Sequence, residues 1–180
     1  TAEVISDLLE GEWLQDSVIG DFFVRLEQLD RIHNLKTASL FKWCLRAPFI
    51  SQERYQPELH QILEELGTIL GQLFQRSDDL LDYDVRNAEG KAILGDLKSG
   101  YLNSFGAFLT QNLDRKAIDQ LVKSENLVDF KKHLGGDEKF SSRLTEFDDK
   151  NKKLIQLYHH QLENLSVLLK PDEQGLIKKL

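Results

Sequence analysis

The spacing of apolar residues restricts this chain to an all-α fold more strongly than any other feature of the sequence. Apolar residues recur at intervals of three and four, as on one face of a helix, and they almost never alternate as in a half-buried strand. Only Pro48, Pro57 and Pro171 interrupt the 180 residues. The pattern therefore predicts one domain over residues 1–180, built as a bundle of about six to eight helices.

The longest predicted helices carry continuous apolar stripes. Pro48 is expected to mark the end of the first, and Pro57 suits the first turn of the second. Gly67 and Gly71 lie one turn apart in that second helix and predict a closely packed neighbour, because an interior glycine costs roughly 1 kcal/mol relative to alanine. The predicted helices span about residues 17–45, 57–82, 91–113, 116–123, 126–134 and 138–169.

Composition argues against several classes of function. The 30 acidic and 23 basic residues give a net charge of −7, which disfavours a nucleic-acid or anionic-lipid surface. Cys44 is the only cysteine, so neither an intrachain disulfide nor a multi-cysteine zinc site can form. No apolar run reaches the ~20 residues of a membrane span, and the start does not resemble a signal peptide. We expect a cytoplasmic protein, and the lack of methionine predicts that residues preceding Thr1 are missing.

Three aspartates lie close together near the end of the second long helix. Asp78 and Asp82 are one turn apart, where like charges repel by roughly 0.2–0.5 kcal/mol, and Asp79 adds a third charge. Magnesium would relieve the repulsion, since it binds carboxylates together with waters and phosphates. A solvated acidic helix end is the alternative, but the interleaved Phe74 and Leu80 favour a position at the edge of the core.

Basic residues that could hold a phosphate occur at two places. Lys36 and Thr37 lie inside the first apolar helix, where an ammonium and a hydroxyl need an anionic partner. Lys91 follows Gly90, a short loop beyond the aspartates. Taken alone, each lysine is more commonly an exposed or snorkelling residue. The two positions indicate a phosphate-binding site only in combination with the acidic cluster.

These motifs together resemble the polyprenyl synthetase family, also called the trans-isoprenyl diphosphate synthases. The resemblance covers about residues 1–110 and implies an all-α, multi-helix bundle of the isoprenoid synthase type. It rests on Phe74-Gln75-x-x-Asp78-Asp79-x-x-Asp82, followed by Gly90-Lys91 and Gly95-Asp96-Leu97, and on the upstream segments Lys36-Thr37-Ala38-Ser39-Leu40-Phe41 and Gly11-Glu12.

The resemblance implies a magnesium-dependent prenyltransferase. An allylic prenyl diphosphate would ionise, the double bond of isopentenyl diphosphate would attack the cation, and a proton would leave, with Mg²⁺ and lysines stabilising the departing diphosphate. By their positions in the family's motifs, Asp78, Asp79 and Asp82 would bind Mg²⁺, Lys36 and Lys91 would bind the diphosphate, and Lys36, Thr37 and Gln75 would serve catalysis.

Two departures from the family's pattern affect this interpretation. No first aspartate-rich motif with its arginine pair occurs before Gly11, so we expect the chain to be the C-terminal part of a longer fold. Tyr101 and Asn103 stand where the family usually has a lysine and a threonine, and Lys98 is expected to replace the lost phosphate contact. Family members commonly dimerise through long helices, which implies a homodimer or heterodimer.

Other classes of function explain the motifs less well. The main alternative is a non-catalytic regulatory or structural subunit of a heteromeric prenyl diphosphate synthase, which Tyr101 and Asn103 favour. A terpene cyclase of related fold usually has an Asn-Ser-Glu type motif in place of the aspartates. A non-enzymatic helical adaptor would require the spacing of the motifs to be a coincidence. Adjacent His159 and His160 point about 100° apart on a helix, which does not suit a shared metal.

Overall fold

The computed structural model describes residues 2–87 and 92–177, and every regular element within them is helical. This confirms the all-α class predicted from the apolar spacing. None of the described helices combines the length and apolar character that a membrane crossing needs. The elements are α1 (Ala2–Ser17), α2 (Leu26–His33), a π-helical segment (Asn34–Ala38), α3 (Ser39–Ser51), α4 (Pro57–Leu81), a 3-10 turn (Val85–Asn87), α5 (Gly95–Lys98), α6 (Ser104–Thr110), α7 (Arg115–Leu121), α8 (Leu127–Leu134), α9 (Asp137–Leu168) and α10 (Pro171–Ile177).

The first predicted helix, over residues 17–45, is wrong at both ends. The chain turns after α1, where Gly20 has a φ of 84° and Asp21 Oδ1 accepts a hydrogen bond from Phe23 N at 2.8 Å. Helical structure then runs from α2 through the π-helical segment and α3, past Pro48. Pro48 lacks one amide donor and lies only three residues before the end of α3, so the helix persists for another turn.

The predicted close neighbour of Gly67 and Gly71 is confirmed. A Cβ at Gly67 would lie 2.6 Å from Lys42 Cα, and one at Gly71 would overlap the backbone of Ala38 at 2.8 Å from its nitrogen. Only glycine allows α3 and the π-helical segment to come this close to α4, because a methyl group would force the backbones apart. This contact places the residues before Ala38 beside the C-terminal half of α4.

An aromatic core holds the C-terminal end of α4 against the later helices. The ring of Tyr83 stands edge-on to Phe105, with centroids 5.0 Å apart, and Phe147 lies 5.2 Å from Phe105. A smaller cluster at the other end of α4 joins Leu59, Ile62, Leu63 and Leu66 to Leu165 and Leu169. Both ends of α4 are therefore packed against later helices.

A buried ion pair connects three helices beside this core. Arg76 of α4 donates through Nη2 to both carboxylate oxygens of Asp30 in α2, at 3.0 and 2.9 Å. Its Nη1 donates to Asn151 Oδ1 in α9 at 3.3 Å, and the guanidinium lies 5.6 Å from the centroid of the Phe147 ring. Arg76 is only a spacer position in the sequence motif, yet it links α2, α4 and α9.

His33, at the end of α2, makes the stability of the protein sensitive to acid. Burial lowers the pKa of His33 to about 4, and neither ring nitrogen has a hydrogen-bond partner among the described residues. The unfolded chain therefore binds a proton below about pH 6.5 that the folded chain does not bind until about pH 4. We expect this histidine alone to lower the free energy of unfolding by about 2 kcal/mol between pH 7 and pH 5.

Urea unfolding of the native protein and of His33→Leu at several pH values measures this effect. Leucine removes the titrating group without breaking a hydrogen bond that the described structure contains. All other titrating groups are shared, so the difference between the two pH profiles reports on His33. Parallel profiles between pH 7 and pH 5 would show that His33 titrates normally in the folded protein.

Candidate active site

Lys36 and Thr37 lie in the π-helical segment, where the sequence predicts regular α-helix. Such turns are rare and occur frequently at functional sites. Gly11 of α1 allows the segment to pack closely, since a Cβ at that position would lie 2.7 Å from the backbone nitrogen of Lys36. Three elements, α1, the π-helical segment and α4, therefore meet around these two residues.

The ammonium of Lys36 is already held by side chains of α1. Its Nζ lies 3.0 Å from Glu12 Oε1 and donates to Gln15 Oε1 at 3.2 Å. The Lys36 side chain is 30% exposed and that of Glu12 is 55% exposed, so this ion pair is worth only about 0–1 kcal/mol. An anionic ligand could replace Glu12 at little energetic cost. Gln15 was missed in the sequence, where its type and spacing carry no specific signal.

A chain of hydrogen bonds joins three of the predicted site residues. Thr37 Oγ1 donates to Gln75 Oε1 at 3.2 Å, across the contact between the π-helical segment and α4. Gln75 Nε2 then donates to Asp79 Oδ1 at 3.1 Å, one turn further along α4. The amide of Gln75 is thus oriented from both sides. The structure brings Thr37, Gln75 and Asp79 together, as an active site would require.

The three aspartates do not share one environment. Asp78 is exposed, whereas Asp79 and Asp82 are each only 1% exposed. Asp79 Oδ2 accepts hydrogen bonds from the backbone N and from the Oγ of Ser104, the first residue of α6. Burial raises the pKa of Asp79, while its hydrogen bonds to Ser104 and Gln75 oppose the shift. Asp79 therefore fastens α4 to α6, and Ser104 is a partner that the sequence does not indicate.

Asp82 holds the segment that leads into α5. Its Oδ2 accepts a hydrogen bond from Asp96 N at 2.8 Å, and its carbonyl accepts one from Leu94 N at 2.9 Å. Leu94 adopts a left-handed conformation with φ of 56° although it is fully buried. A leucine is strained there by roughly 1–3 kcal/mol, and strain of this kind clusters at functional sites.

The donor set is compatible with magnesium. Over residues 2–87 and 92–177, no group of three or more His, Cys, Asp or Glu side chains is arranged to hold a metal ion. Mg²⁺ does not need such a cage, because it commonly takes one or two carboxylates and completes its shell with waters and substrate phosphates. The exposed carboxylate of Asp78 suits that coordination, with Asp82 four residues later at the C-cap of α4.

Of the two predicted phosphate-binding lysines near the aspartates, the structure describes only Lys98. Lys98 is exposed on α5, and its Nζ donates to the carbonyl of Ile93 at 3.2 Å. It lies two residues after Asp96, whose amide contacts Asp82. Lys91 lies outside the described residues, so its role remains a prediction.

Neither of the two unusual residues after Gly100 is an exposed ligand group. Asn103 is 1% exposed and is surrounded by hydrogen-bond partners. The Tyr101 hydroxyl is buried, and burial raises the pKa of this phenol, with nearby Asp79 and Asp96 adding to the shift. These side chains face the interior of the site region and do not replace an exposed phosphate contact.

Comparison with known proteins identifies the class to which this fold and site belong. A family described as Polyprenyl synthetase matches residues 1–134. The chain therefore belongs to the polyprenyl synthetase family. Over 100 residues it is 34% identical to the octaprenyl diphosphate synthase of Escherichia coli (strain K12), covering 55% of this chain and 31% of that protein.

Solved structures with the same fold extend the likeness to nearly the whole chain. The decaprenyl diphosphate synthase of Rhodobacter capsulatus superposes with a TM-score of 0.69 at 19% identity, covering 99% of this chain and 55% of that one. The heptaprenyl diphosphate synthase of Staphylococcus aureus gives 0.67 at 23% identity, covering 99% and 57%. The chain thus spans about half the length of these structures and about a third of the bacterial octaprenyl enzyme.

Proposed function

We propose that this chain forms the C-terminal part of a trans-prenyl diphosphate synthase that condenses isopentenyl diphosphate with an allylic prenyl diphosphate. The observation that carries the proposal is the hydrogen-bonded series Thr37, Gln75 and Asp79, with Lys36 next to Thr37 and the exposed Asp78 next to Asp79. The family membership and the names of the similar proteins support the same reaction class.

In the proposed reaction, the side chains bind, orient and stabilise charge. Lys36 would exchange its contact with Glu12 for an oxygen of the allylic diphosphate as that group departs. The oxygens of Thr37 and Gln75, oriented by their mutual hydrogen bond, would face the developing carbocation. A proton would leave the condensed product with the diphosphate as a nearby acceptor. Lys98 and Lys91 would contribute further positive charge.

Magnesium is the cofactor that this proposal requires. Asp78 would be the main carboxylate ligand, with Asp82 assisting, and the ion would supply neutralising charge to the departing diphosphate. Asp79 is also a predicted ligand, although its three hydrogen bonds from Gln75 and Ser104 favour a supporting role.

Association with another chain also forms part of the proposal. Ile5, Leu9 and Trp13 recur every fourth residue along α1 and are 54%, 67% and 70% exposed. A stripe of this size on one helix face is typical of an interface. We propose a homodimer or heterodimer, acting in the cytoplasm, where the free and exposed Cys44 would stay reduced.

Asp78→Asn should weaken magnesium-dependent binding of inorganic pyrophosphate by about tenfold or more, because a charged ligand becomes a neutral amide. Isothermal titration calorimetry at several Mg²⁺ concentrations measures this. Asp119→Asn changes another exposed aspartate, on α7, and should leave binding unchanged. Equal affinities for the two variants would remove Asp78 from the metal site.

The complete proposal is tested in two steps. The mass of the intact protein is measured, and the protein is then incubated with Mg²⁺, isopentenyl diphosphate and an allylic diphosphate. Formation of a longer prenyl diphosphate supports it. Absence of both turnover and magnesium-dependent pyrophosphate binding would contradict it, and would leave a non-catalytic subunit of a heteromeric synthase as the explanation.

A further inference from the structure

Asn103 has a side chain whose hydrogen-bonding capacity is fully used inside the protein. Its Nδ2 donates to the carbonyl of Asp79 at 3.2 Å and to Asp96 Oδ2 at 3.0 Å. Its Oδ1 accepts from Gly106 N at 3.0 Å and from the Tyr83 hydroxyl at 3.3 Å. Two donors and two acceptors are all that an asparagine amide offers. The residue therefore does not bind a ligand directly.

These contacts permit only one orientation of the amide. Rotating it by 180° would point the oxygen at the carbonyl of Asp79 and the carboxylate of Asp96, both of which are acceptors. The same rotation would point the NH₂ group at Gly106 N, a donor. A buried amide with complementary partners on both sides acts as a rigid connection.

The connection joins the end of one helix to the beginning of another. The carbonyl of Asp79 is one of the last four in α4, which have no donor within the helix, and Gly106 N is one of the first amides of α6. Asn103 is thus the N-cap of α6 and a C-terminal partner of α4 at once. Ser104, the next residue, binds the Asp79 carboxylate.

A second path leads from Asn103 to Asp82. Asn103 holds the carboxylate of Asp96, and the backbone amide of Asp96 donates to Asp82 Oδ2 at 2.8 Å. Leu94, in its strained left-handed conformation, is also bound by Asp82. The position of the Asp82 carboxylate therefore depends on α5, and the position of α5 depends on Asn103.

We propose that Asn103 is a positioning residue for the acidic site, which orients Asp82 and the end of α4 for a magnesium diphosphate ligand that it never touches. The ligand part of this inference rests on the proposed function, whereas the geometric part rests only on the contacts above. Partners that orient metal ligands from outside the coordination shell commonly change metal affinity by about 10–100-fold when removed.

A pair of asparagine-to-serine variants isolates this role. Asn103→Ser keeps an oxygen that can cap α6 but removes both Nδ2 hydrogen bonds. Asn126→Ser is the control, because Asn126 is the exposed N-cap of α8 and makes two bonds of the same kinds, accepting from Asp129 N at Oδ1 at 3.0 Å and donating from Nδ2 to Asp129 Oδ2 at 2.8 Å. Both variants lose the same chemical group.

Two readouts distinguish positioning from general destabilisation. Amide hydrogen exchange of Leu94 and Asp96, without ligand, should accelerate about tenfold in Asn103→Ser and remain unchanged in Asn126→Ser. The Mg²⁺ concentration that half-saturates binding of inorganic pyrophosphate should rise about tenfold in Asn103→Ser only. Thermal unfolding of both variants shows whether their global stabilities are comparable.

Each outcome decides a separate question. Unchanged exchange at Leu94 and Asp96 would overturn the inference, as would faster exchange with an unchanged requirement for Mg²⁺. If the native protein binds no pyrophosphate with Mg²⁺, the proposed function fails and the ligand part of the inference fails with it. In that case the exchange experiment still decides whether Asn103 holds the segment before α6.

Discussion

Replacing Gly71 with alanine is expected to lower the free energy of unfolding by about 2–3 kcal/mol. The added Cβ would overlap the backbone of Ala38, which cannot move aside as a flexible side chain could. The gain in helix propensity, roughly 1 kcal/mol for glycine to alanine, offsets only part of this effect. Chemical denaturation of both proteins measures the difference.

The same substitution should also disturb the candidate site. Ala38 follows Thr37 directly, so separating α4 from the π-helical segment would lengthen the hydrogen bond between Thr37 Oγ1 and Gln75 Oε1, now 3.2 Å. If the proposed reaction takes place, prenyl transfer should fall by at least about tenfold even under conditions where the variant is fully folded, because displacement of a reacting group by an ångström can have effects of that size or more.

Gly175→Ala provides the matched control. Gly175 lies in α10, and nothing lies within 4 Å of the position that its Cβ would occupy. Alanine there should be neutral or stabilising by up to about 1 kcal/mol. If Gly71→Ala were as stable as Gly175→Ala, then α4 and the π-helical segment would have room to separate, and the close contact would not limit the fold.

Replacing Arg76 with methionine is expected to lower the free energy of unfolding by about 3 kcal/mol. The variant leaves the carboxylate of Asp30 without its ion-pair partner in a mostly buried position, and removing one member of a buried pair typically costs about 3–5 kcal/mol. The lower end applies because the Asp30 side chain is 24% exposed, so water can solvate part of the abandoned charge. The contact of the guanidinium with Phe147 is lost as well.

A double variant separates the charge effect from lost packing. Arg76→Met combined with Asp30→Leu removes both charges, so it should be more stable than Arg76→Met alone by about 1–3 kcal/mol. Unfolding in urea of the native protein, both single variants and the double variant completes the cycle. Strict additivity of the two single effects would mean that Arg76 and Asp30 do not stabilise each other.

Much of the candidate site follows from the sequence because its parts are local in the chain. The spacing of Gln75, Asp78 and Asp82 places them one after another over the last turns of α4 and its C-cap, and the neighbouring Lys36 and Thr37 form a similarly compact unit. Gly67 and Gly71 predicted a close neighbour for α4, but only the structure shows that this neighbour is the segment around Lys36 and Thr37. The sequence did not indicate the π-helical segment, because a helical turn with one extra residue leaves the spacing of the apolar residues nearly unchanged.

The separate environments of the three aspartates could not be predicted. Asp79 is buried because Ser104, 25 residues further along the chain, supplies donors to its carboxylate. Asp82 is held by Asp96, and the sequence contains no sign that a backbone amide 14 residues away would reach it. For the same reason the pair Tyr101 and Asn103 was interpreted as the loss of a phosphate contact, whereas the partners of Asn103 make it a connection between helices.

The sequence by itself determined the helical class, the bundle architecture, the motif residues and the family. These properties depend on spacing along one helix, which is a local geometric repeat. The tertiary structure alone decided which carboxylate faces outward, that Lys36 is paired with Glu12, and that Arg76 and Asn103 connect the helices around the site. Burial and hydrogen bonding depend on groups that are distant in the chain and become neighbours only when the helices pack.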